Sequence, residues 1–182
     1  MSKQTLFILY NFIGFQAVWA ACAYGSINGS PLLGVYAAAV YILIHFVFSK
    51  SKTLDLIVML SVAIVGILLD SLNAYIGIIT FNHESNLLPL WLMTLWLCFA
   101  LILPHSLFWL NKYPLIAVFL GGIGGSGSYF IGHQLGAISL SDSLLTSLSV
   151  YFIEWAIIIP VAFWLIKRVK DLLVGKRHTH ST

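Results

Sequence analysis

Six long apolar runs, separated by short polar links, make up most of the chain. They lie at about residues 6–24, 32–48, 54–81, 87–110, 115–136 and 144–166. A helix that crosses a bilayer needs about 20 predominantly apolar residues, and most of the runs are near or above that length. The pattern therefore predicts an all-α membrane protein, a bundle of six transmembrane helices that forms one domain over residues 1–182.

The composition excludes a soluble globular domain. Charged residues make up 8% of the chain and hydrophobic residues 60%, and the mean hydropathy is +0.97. A soluble domain carries about 25% charged residues, which it needs to cover its surface. So few charges can cover only the ends of a bundle whose sides face lipid.

Positive charges are confined to alternate links and predict the orientation. They lie at the N-terminus, in the second and fourth links and in the C-terminal tail, at Lys3, Lys50, Lys52, Lys112, Lys167, Arg168, Lys170, Lys176 and Arg177. Lys and Arg collect on the cytoplasmic side of a membrane, so we predict that both termini are cytoplasmic. The net charge of +3 follows from this topology, and we predict no nucleic-acid partner.

Two prolines interrupt predicted spans. Pro104 lies inside the fourth span and Pro160 inside the sixth. A proline inside a helix removes a backbone hydrogen bond and tends to kink the helix. The pattern predicts kinked helices four and six. Such kinks are common in ordinary membrane helices, and here they would also fit a cavity that opens toward the cytoplasm.

Small residues recur along the fifth span at three- and four-residue steps. They are Gly121, Gly125, Ser128, Gly132 and Gly136. Such a stripe lets two membrane helices approach closely. We therefore predict that Gly121, Gly125 and Gly132 are packing residues.

Two acidic residues lie deep in predicted spans. Asp70 shares a small and polar helix face with Gly66 and Asn73, at steps of three and four, and Glu154 lies near the middle of the sixth span. A charge inside a bilayer costs several kcal/mol, and no Lys or Arg lies at this depth. The two acids therefore indicate either a satisfied hydrogen-bond network or a functional site.

The histidines lack the spacing of a helical metal pair, which places two ligands at positions i and i+4. We predict no metal site. His105 follows Pro104 and precedes Ser106, so it could line a cavity beside a kinked helix or lie at the interface. The deep Trp96 and Trp155 are interpreted as packing residues.

Several of these features lie in segments that resemble a known family. They are Leu69-Asp70-Ser71, Pro89-Leu90-Trp91 with Trp96, and His105-Ser106-Leu107 with Trp109. Together the segments resemble the bacterial inner-membrane proteins called domain of unknown function 2878, from about residue 66 to residue 164. The resemblance implies a bacterial inner membrane, and a role in modifying membrane fatty acids or in the response to photo-oxidative stress.

Residues and resemblance together give one leading hypothesis and two alternatives. The leading hypothesis is a component of membrane lipid modification, an enzyme or a scaffold for one, with a cytoplasm-facing cavity. Its catalytic candidates are Asp70, His105 and Glu154, and its substrate-binding candidates are Asn73, Ser106 and Trp109. The alternatives are a small proton-coupled transporter and a structural subunit without chemistry. We expect membrane lipid and a lipid-modifying enzyme as partners and no cofactor, and the oligomeric state stays open.

Overall fold

Six α-helices form the part of the chain that the computed structural model describes, residues 2–81 and 88–179 without the side chains of residues 176–179. The helices are α1 (Lys3–Ile27), α2 (Leu32–Phe48), α3 (Lys52–Tyr75), α4 (Leu90–Ile102), α5 (Pro114–Gln134) and α6 (Leu144–Thr179). A 3₁₀ helix at Phe108–Lys112 and two short strands, β1 (Ile79–Thr80) and β2 (Ser139–Leu140), lie between them.

Four of the helices, α1, α3, α5 and α6, are long and apolar enough to cross a membrane. The other two apolar helices, α2 and α4, have 17 and 13 residues. The long helices carry large apolar side chains on their outer faces; Leu68, for example, is 63% exposed. A soluble monomer does not leave so many such side chains in water. The fold is therefore that of a helical membrane protein, as the apolar pattern predicts.

Helix α4 differs from its predicted form. The expected span over 87–110 contains one α-helix that begins at Leu90 and ends at Ile102, and residue 87 lies outside the described part of the chain. Pro104 does not kink this helix, because the helix ends before it and a turn leads into the 3₁₀ helix. Leu103, Pro104 and Ser106 are buried, and a non-helical backbone is tolerated at membrane depth where protein surrounds it.

The other proline lies inside a continuous helix. Helix α6 runs through Pro160 and continues to Thr179, beyond the predicted end of the sixth span at residue 166. Helix α3 is shorter than predicted, since it ends at Tyr75 and not near residue 81. The bounds of α2 agree with the predicted span at both ends.

Helices α3 and α5 end in the same way, at Gly77 and Gly136. Both glycines have φ of 78°, a left-handed conformation that a side chain disfavours. The backbone N–H of Ile78 then bonds to the carbonyl of Asn73 at 2.8 Å, and that of Ala137 to the carbonyl of Gly132 at 2.9 Å. This helix end turns each chain into a strand, and β1 pairs with β2 in antiparallel register. Gly136 therefore ends α5 and does not extend its packing face.

Helix α5 packs most extensively against α6. A Cβ added at Gly125 would lie 2.0 Å from the indole of Trp155, and one added at Gly121 would lie 2.7 Å from Ile159. Gly122 is also covered, by Phe152 at 2.7 Å, whereas Gly124 has open space beside it. The contact face is therefore centred on Gly121, Gly122 and Gly125. Ser128 is exposed and Gly132 half-buried.

Candidate functional site

A cavity lined mainly by apolar and aromatic side chains lies between α1, the start of α4, the end of α5 and α6. The cavity is open on one side, and its space measures about 650 Å³ when the open space at the mouth is counted. Six of its lining residues are aromatic: Phe15, Trp19, Trp91, Trp96, Tyr129 and Trp155. The others include Cys22 and Ala23 of α1, and Gly132 of α5. We call this cavity the aromatic cleft. Among the residues that the structure describes, none in this lining is a histidine or carries a charge.

Asp70 lies behind one wall of the aromatic cleft. The indole Nε1–H of Trp96 donates to Oδ2 of Asp70 at 2.6 Å, and the hydroxyl of Tyr129 lies 2.7 and 2.8 Å from its two oxygens. Gly66 lets Trp96 reach this position, because a Cβ there would lie 2.2 Å from the indole. The polar edges of two lining residues therefore point to Asp70, which is 1% exposed.

The second acid, Glu154, has a partner of its own. The amide Nδ2 of Asn73 lies 3.0 and 2.9 Å from the two carboxylate oxygens of Glu154. The ring of Tyr151 stacks on Tyr129 with 3.6 Å between centroids, and its buried hydroxyl makes no hydrogen bond to any described residue. In the described part of the chain, neither acid forms an ion pair. Asp70 is thus bonded to Trp96 and Tyr129, and Glu154 to Asn73, and the two groups meet where the ring of Tyr151 stacks on Tyr129.

A separate polar cluster surrounds Asp55, three residues into α3. Nε2 of His45 lies 3.0 Å from one carboxylate oxygen, and Nε2 of His105 lies 2.9 Å from the other. The hydroxyl of Ser49 donates to the same oxygen that His45 contacts. We call His45, Asp55 and His105 the histidine–aspartate cluster. Asp55 and His45 are fully buried, and negative charge in the first turn of a helix is favoured by the helix dipole.

The end of helix α4 supports this cluster. The backbone N–H of His105 bonds to Ile102 and so leaves the carbonyl of Leu101 without its helical partner. The amide Nδ2 of Asn11 donates to that carbonyl at 3.2 Å and lies 3.3 Å from Nδ1 of His45. Asn11 therefore satisfies the helix end and contacts the cluster from α1.

The two sets of polar residues lie at opposite ends of α3. Asp55 and Asp70 are fifteen residues apart, which corresponds to about 22 Å along a helix at 1.5 Å per residue. The expectation of one cavity lined by Asp70, Asn73, His105 and Glu154 is therefore wrong. His105 belongs to the end near the lysine-rich links, and the aromatic cleft lies toward the other end, not toward the predicted cytoplasmic side.

The remaining substrate-binding candidates are not beside the aromatic cleft. Ser106 is buried and donates to the backbone oxygen of Ile8 and to the amide oxygen of Asn11. Trp109, in the 3₁₀ helix, is 53% exposed and lies edge-on to Tyr113. Ser106 therefore supports the histidine–aspartate cluster, and Trp109 lies at the surface.

The sequence analysis did not identify Asp55 or place His45 beside it. It also did not identify Trp96 and Tyr129 as hydrogen-bond donors to Asp70. One signal was present in the sequence. His45 lies three residues before the end of α2 and Asp55 lies three residues after the start of α3. Two helices joined by so short a link are antiparallel neighbours, so these side chains had to lie at similar depth. Trp96 and Tyr129 come from distant elements, and no local spacing connects them to Asp70.

Helices of this length and hydropathy, packed around two buried polar networks, define a polytopic helical membrane protein. The model of one family, described as a protein of unknown function (DUF2878), matches residues 8–161. The chain therefore belongs to this family, as the resemblance in sequence indicates. No curated protein and no solved structure matches the chain significantly.

Proposed function

We propose that this protein is a component of membrane lipid modification that holds an acyl chain in the aromatic cleft. The observation that carries the proposal is the lining of that cleft, which consists mainly of apolar and aromatic side chains from four helices. Binding sites for apolar ligands are concave, mostly hydrophobic and rich in aromatic residues. In a membrane, the most abundant molecule with that chemistry is the lipid acyl chain.

The polar atoms of the lining support an apolar ligand. The indole N–H of Trp96 and the hydroxyl of Tyr129 are both bonded to Asp70, which is not a lining residue. Trp96 and Tyr129 therefore contribute ring carbons, and not polar atoms, to the surface of the cleft. The described residues of the lining include no charged or histidine side chain, so the cleft is better suited to binding an acyl chain than to catalysing a reaction on it. We accordingly favour a scaffold that presents lipid to an enzyme.

The proposed setting is a bacterial inner membrane that the chain crosses six times, with both termini in the cytoplasm. The alternation of lysine-rich and lysine-free links supports this orientation. In the structure, the ammonium group of Lys170 lies 3.7 Å from the ring centroid of Phe108, which places the lysine-rich part of α6 beside the 3₁₀ helix that ends at Lys112. The aromatic cleft would then lie in the periplasmic half of the membrane.

A second candidate function is proton-coupled transport of a small solute. The observation that favours it is the pair of acids inside the helix bundle, the buried Asp70 on α3 and the half-buried Glu154 on α6. In the part of the chain that the structure describes, neither has a Lys, Arg or His partner. Ionisable residues inside a membrane without a counter-ion are typical of proton-coupled sites.

Comparative lipidomics with two matched variants tests the lipid proposal. Ala23 lines the aromatic cleft, whereas Ala20, on the same helix, is exposed. A strain that lacks the protein should show an altered acyl-chain profile. Wild type and Ala20→Phe should restore the profile, and Ala23→Phe should not, because its ring fills the cleft.

Two results would contradict the proposal. An acyl-chain profile that is unchanged in the deletion strain, together with lost uptake of a solute, would favour transport. Full restoration by Ala23→Phe, at normal abundance in the membrane, would show that the cleft is not the site.

A further inference from the structure

The histidine–aspartate cluster brings three potential metal ligands together from three parts of the chain. His45 comes from the end of α2, Asp55 from the start of α3 and His105 from the turn after α4. The two Nε2 atoms and a carboxylate oxygen all lie within 4.8 Å of one another. Because the ligands come from different elements, their spacing in the sequence shows none of the patterns of a helical metal pair.

The distances suit a divalent ion. Ligands that bind zinc at about 2.0–2.1 Å lie about 2.8–3.4 Å from one another when their angles are between 90° and tetrahedral. The observed separations between imidazole nitrogen and carboxylate oxygen are 2.9 and 3.0 Å. Small side-chain movements would therefore let all three atoms bind one ion.

The charge of the cluster also favours a bound metal ion. Asp55 is fully buried, and its ion-pair partners among residues 2–81 and 88–175 are the two histidines. The nearby Lys170 places its ammonium over the ring of Phe108. A buried carboxylate needs a positive charge beside it. A cation bound between the three side chains would supply that charge.

We propose that His45, Asp55 and His105 form a binding site for a divalent first-row transition-metal ion such as Zn²⁺. Two imidazole nitrogens and one carboxylate are a donor set of catalytic zinc and non-haem iron sites. Three protein ligands leave coordination positions open. The side chain of His105 is 16% exposed, so this ring lies on the side from which an ion could enter.

Binding of the ion requires the Nε2 atom of each ligating histidine to be free of hydrogen. Each imidazole then carries its proton on Nδ1. Nδ1 of His45 faces the Asn11 amide at 3.3 Å, so this amide must turn its oxygen toward the ring and give up its bond to the carbonyl of Leu101. The hydroxyl of Ser106 can adapt, since it already donates to the backbone oxygen of Ile8 and can accept from the turned amide. Asn11 then supports the ligand in the way that outer-shell groups do.

Metal content of the purified full-length chain tests the site. The protein should be prepared without a histidine tag and with His178→Ala and His180→Ala in every version, so that the tail cannot chelate. After a chelator has removed bound metal, the protein is loaded with Zn²⁺, desalted and measured by mass spectrometry. We expect about one zinc ion per wild-type chain, and at least tenfold less retained zinc in Asp55→Asn and in His105→Ala.

His133→Ala is the matched control, because His133 lies at the opposite end of the bundle, where its Nδ1 accepts from the backbone N–H of Leu140. This variant should bind zinc as wild type does. Loading with Co²⁺ should give the visible spectrum of nitrogen and oxygen ligands, without a thiolate band from Cys22 or Cys98.

The site would be refuted if the unmutated cluster retained no more zinc than Asp55→Asn. It would also be refuted if both cluster variants bound zinc like wild type. Should Asp55→Asn fail to fold, His105→Ala decides the question, because this ring is partly exposed. The cluster lies about 22 Å along α3 from Asp70, so this result is independent of the lipid test.

Discussion

Asp70 is a buried carboxyl whose hydrogen-bond donors are uncharged. Trp96 and Tyr129 donate to it, and both residues also line the aromatic cleft. Asp70 therefore fixes the position of two side chains that shape the cleft. Trp96 is held from the other side as well, because its ring stacks on Trp155 with 5.0 Å between centroids.

Replacing Asp70 should affect stability in proportion to the donors left unpaired. In Asp70→Leu, the indole N–H of Trp96 and the hydroxyl of Tyr129 both lose their acceptor, at a cost of about 1–3 kcal/mol for each group. In Asp70→Asn, the amide oxygen keeps one of these bonds and the hydroxyl can accept from the amide nitrogen. Thermal unfolding in detergent should therefore rank wild type and Asp70→Asn close together and Asp70→Leu clearly lower.

Ser71→Leu is the control for this comparison. Ser71 follows Asp70 in α3, but it is exposed and its hydroxyl bonds within its own helix. The melting temperature of this variant should stay near that of wild type. If Asp70→Leu melted like Ser71→Leu, the hydrogen bonds to Asp70 would contribute little to stability.

Burial of Asp70 could be predicted from the sequence, because the small Gly66 and the polar Asn73 share its helix face. In the structure all three residues are buried. Its partners could not be predicted. Trp96 is 26 residues away and Tyr129 is 59 residues away, so their meeting depends on how α4 and α5 are rotated about their axes. Apolar composition does not determine such rotations, since Trp and Tyr are compatible with either a packed or a lipid-facing position.

At the scale of elements, prediction succeeded where an apolar run coincides with one helix. Both ends of α2 agree with the predicted span, because Pro31 and Ser49 stand beside them. It failed at α4, where the run continues past Pro104 while the helix ends at Ile102. Hydropathy reports that a segment is buried, and both the helix and the turn after it are buried.

Helix α5 offers a direct test of the packing between elements. In Gly125→Ala, the new methyl group would lie 2.0 Å from the indole of Trp155, whereas in Gly124→Ala it meets open space. The first change should destabilise the protein by about 1–3 kcal/mol through overpacking. The second should be neutral or slightly stabilising, because alanine favours a helix over glycine.

The two glycine variants should be compared by thermal unfolding and by the amount of folded protein recovered in detergent. They differ by one position in the same helix, so their membrane insertion should be alike. Equal loss of folded protein from both would show that α5 is surrounded on all sides and that its contact with α6 is not one-sided.

At the scale of the whole molecule, lysine and arginine lie at one end and the aromatic cleft toward the other. If the positive end is cytoplasmic, a reporter fused after Thr182 should read as cytoplasmic. Reporters inserted at Asn28 or Ser141, in the links at the opposite end, should read as periplasmic. A third position, Glu84, lies outside the described residues, and its sequence context predicts a periplasmic result. A periplasmic C-terminus would contradict the six-span topology.

The central claim is that the aromatic cleft holds an acyl chain, and photo-crosslinking in the membrane tests it most directly. Cells would be supplied with a fatty acid that carries a photoactivatable group, and crosslinked peptides of the purified protein would be mapped. We predict crosslinks concentrated on residues 15–23 and 128–138, which contribute to the lining. They should be lost in Ala23→Phe and kept in Ala20→Phe. Crosslinks spread evenly over the exposed helix faces, or unchanged in Ala23→Phe, would contradict the claim.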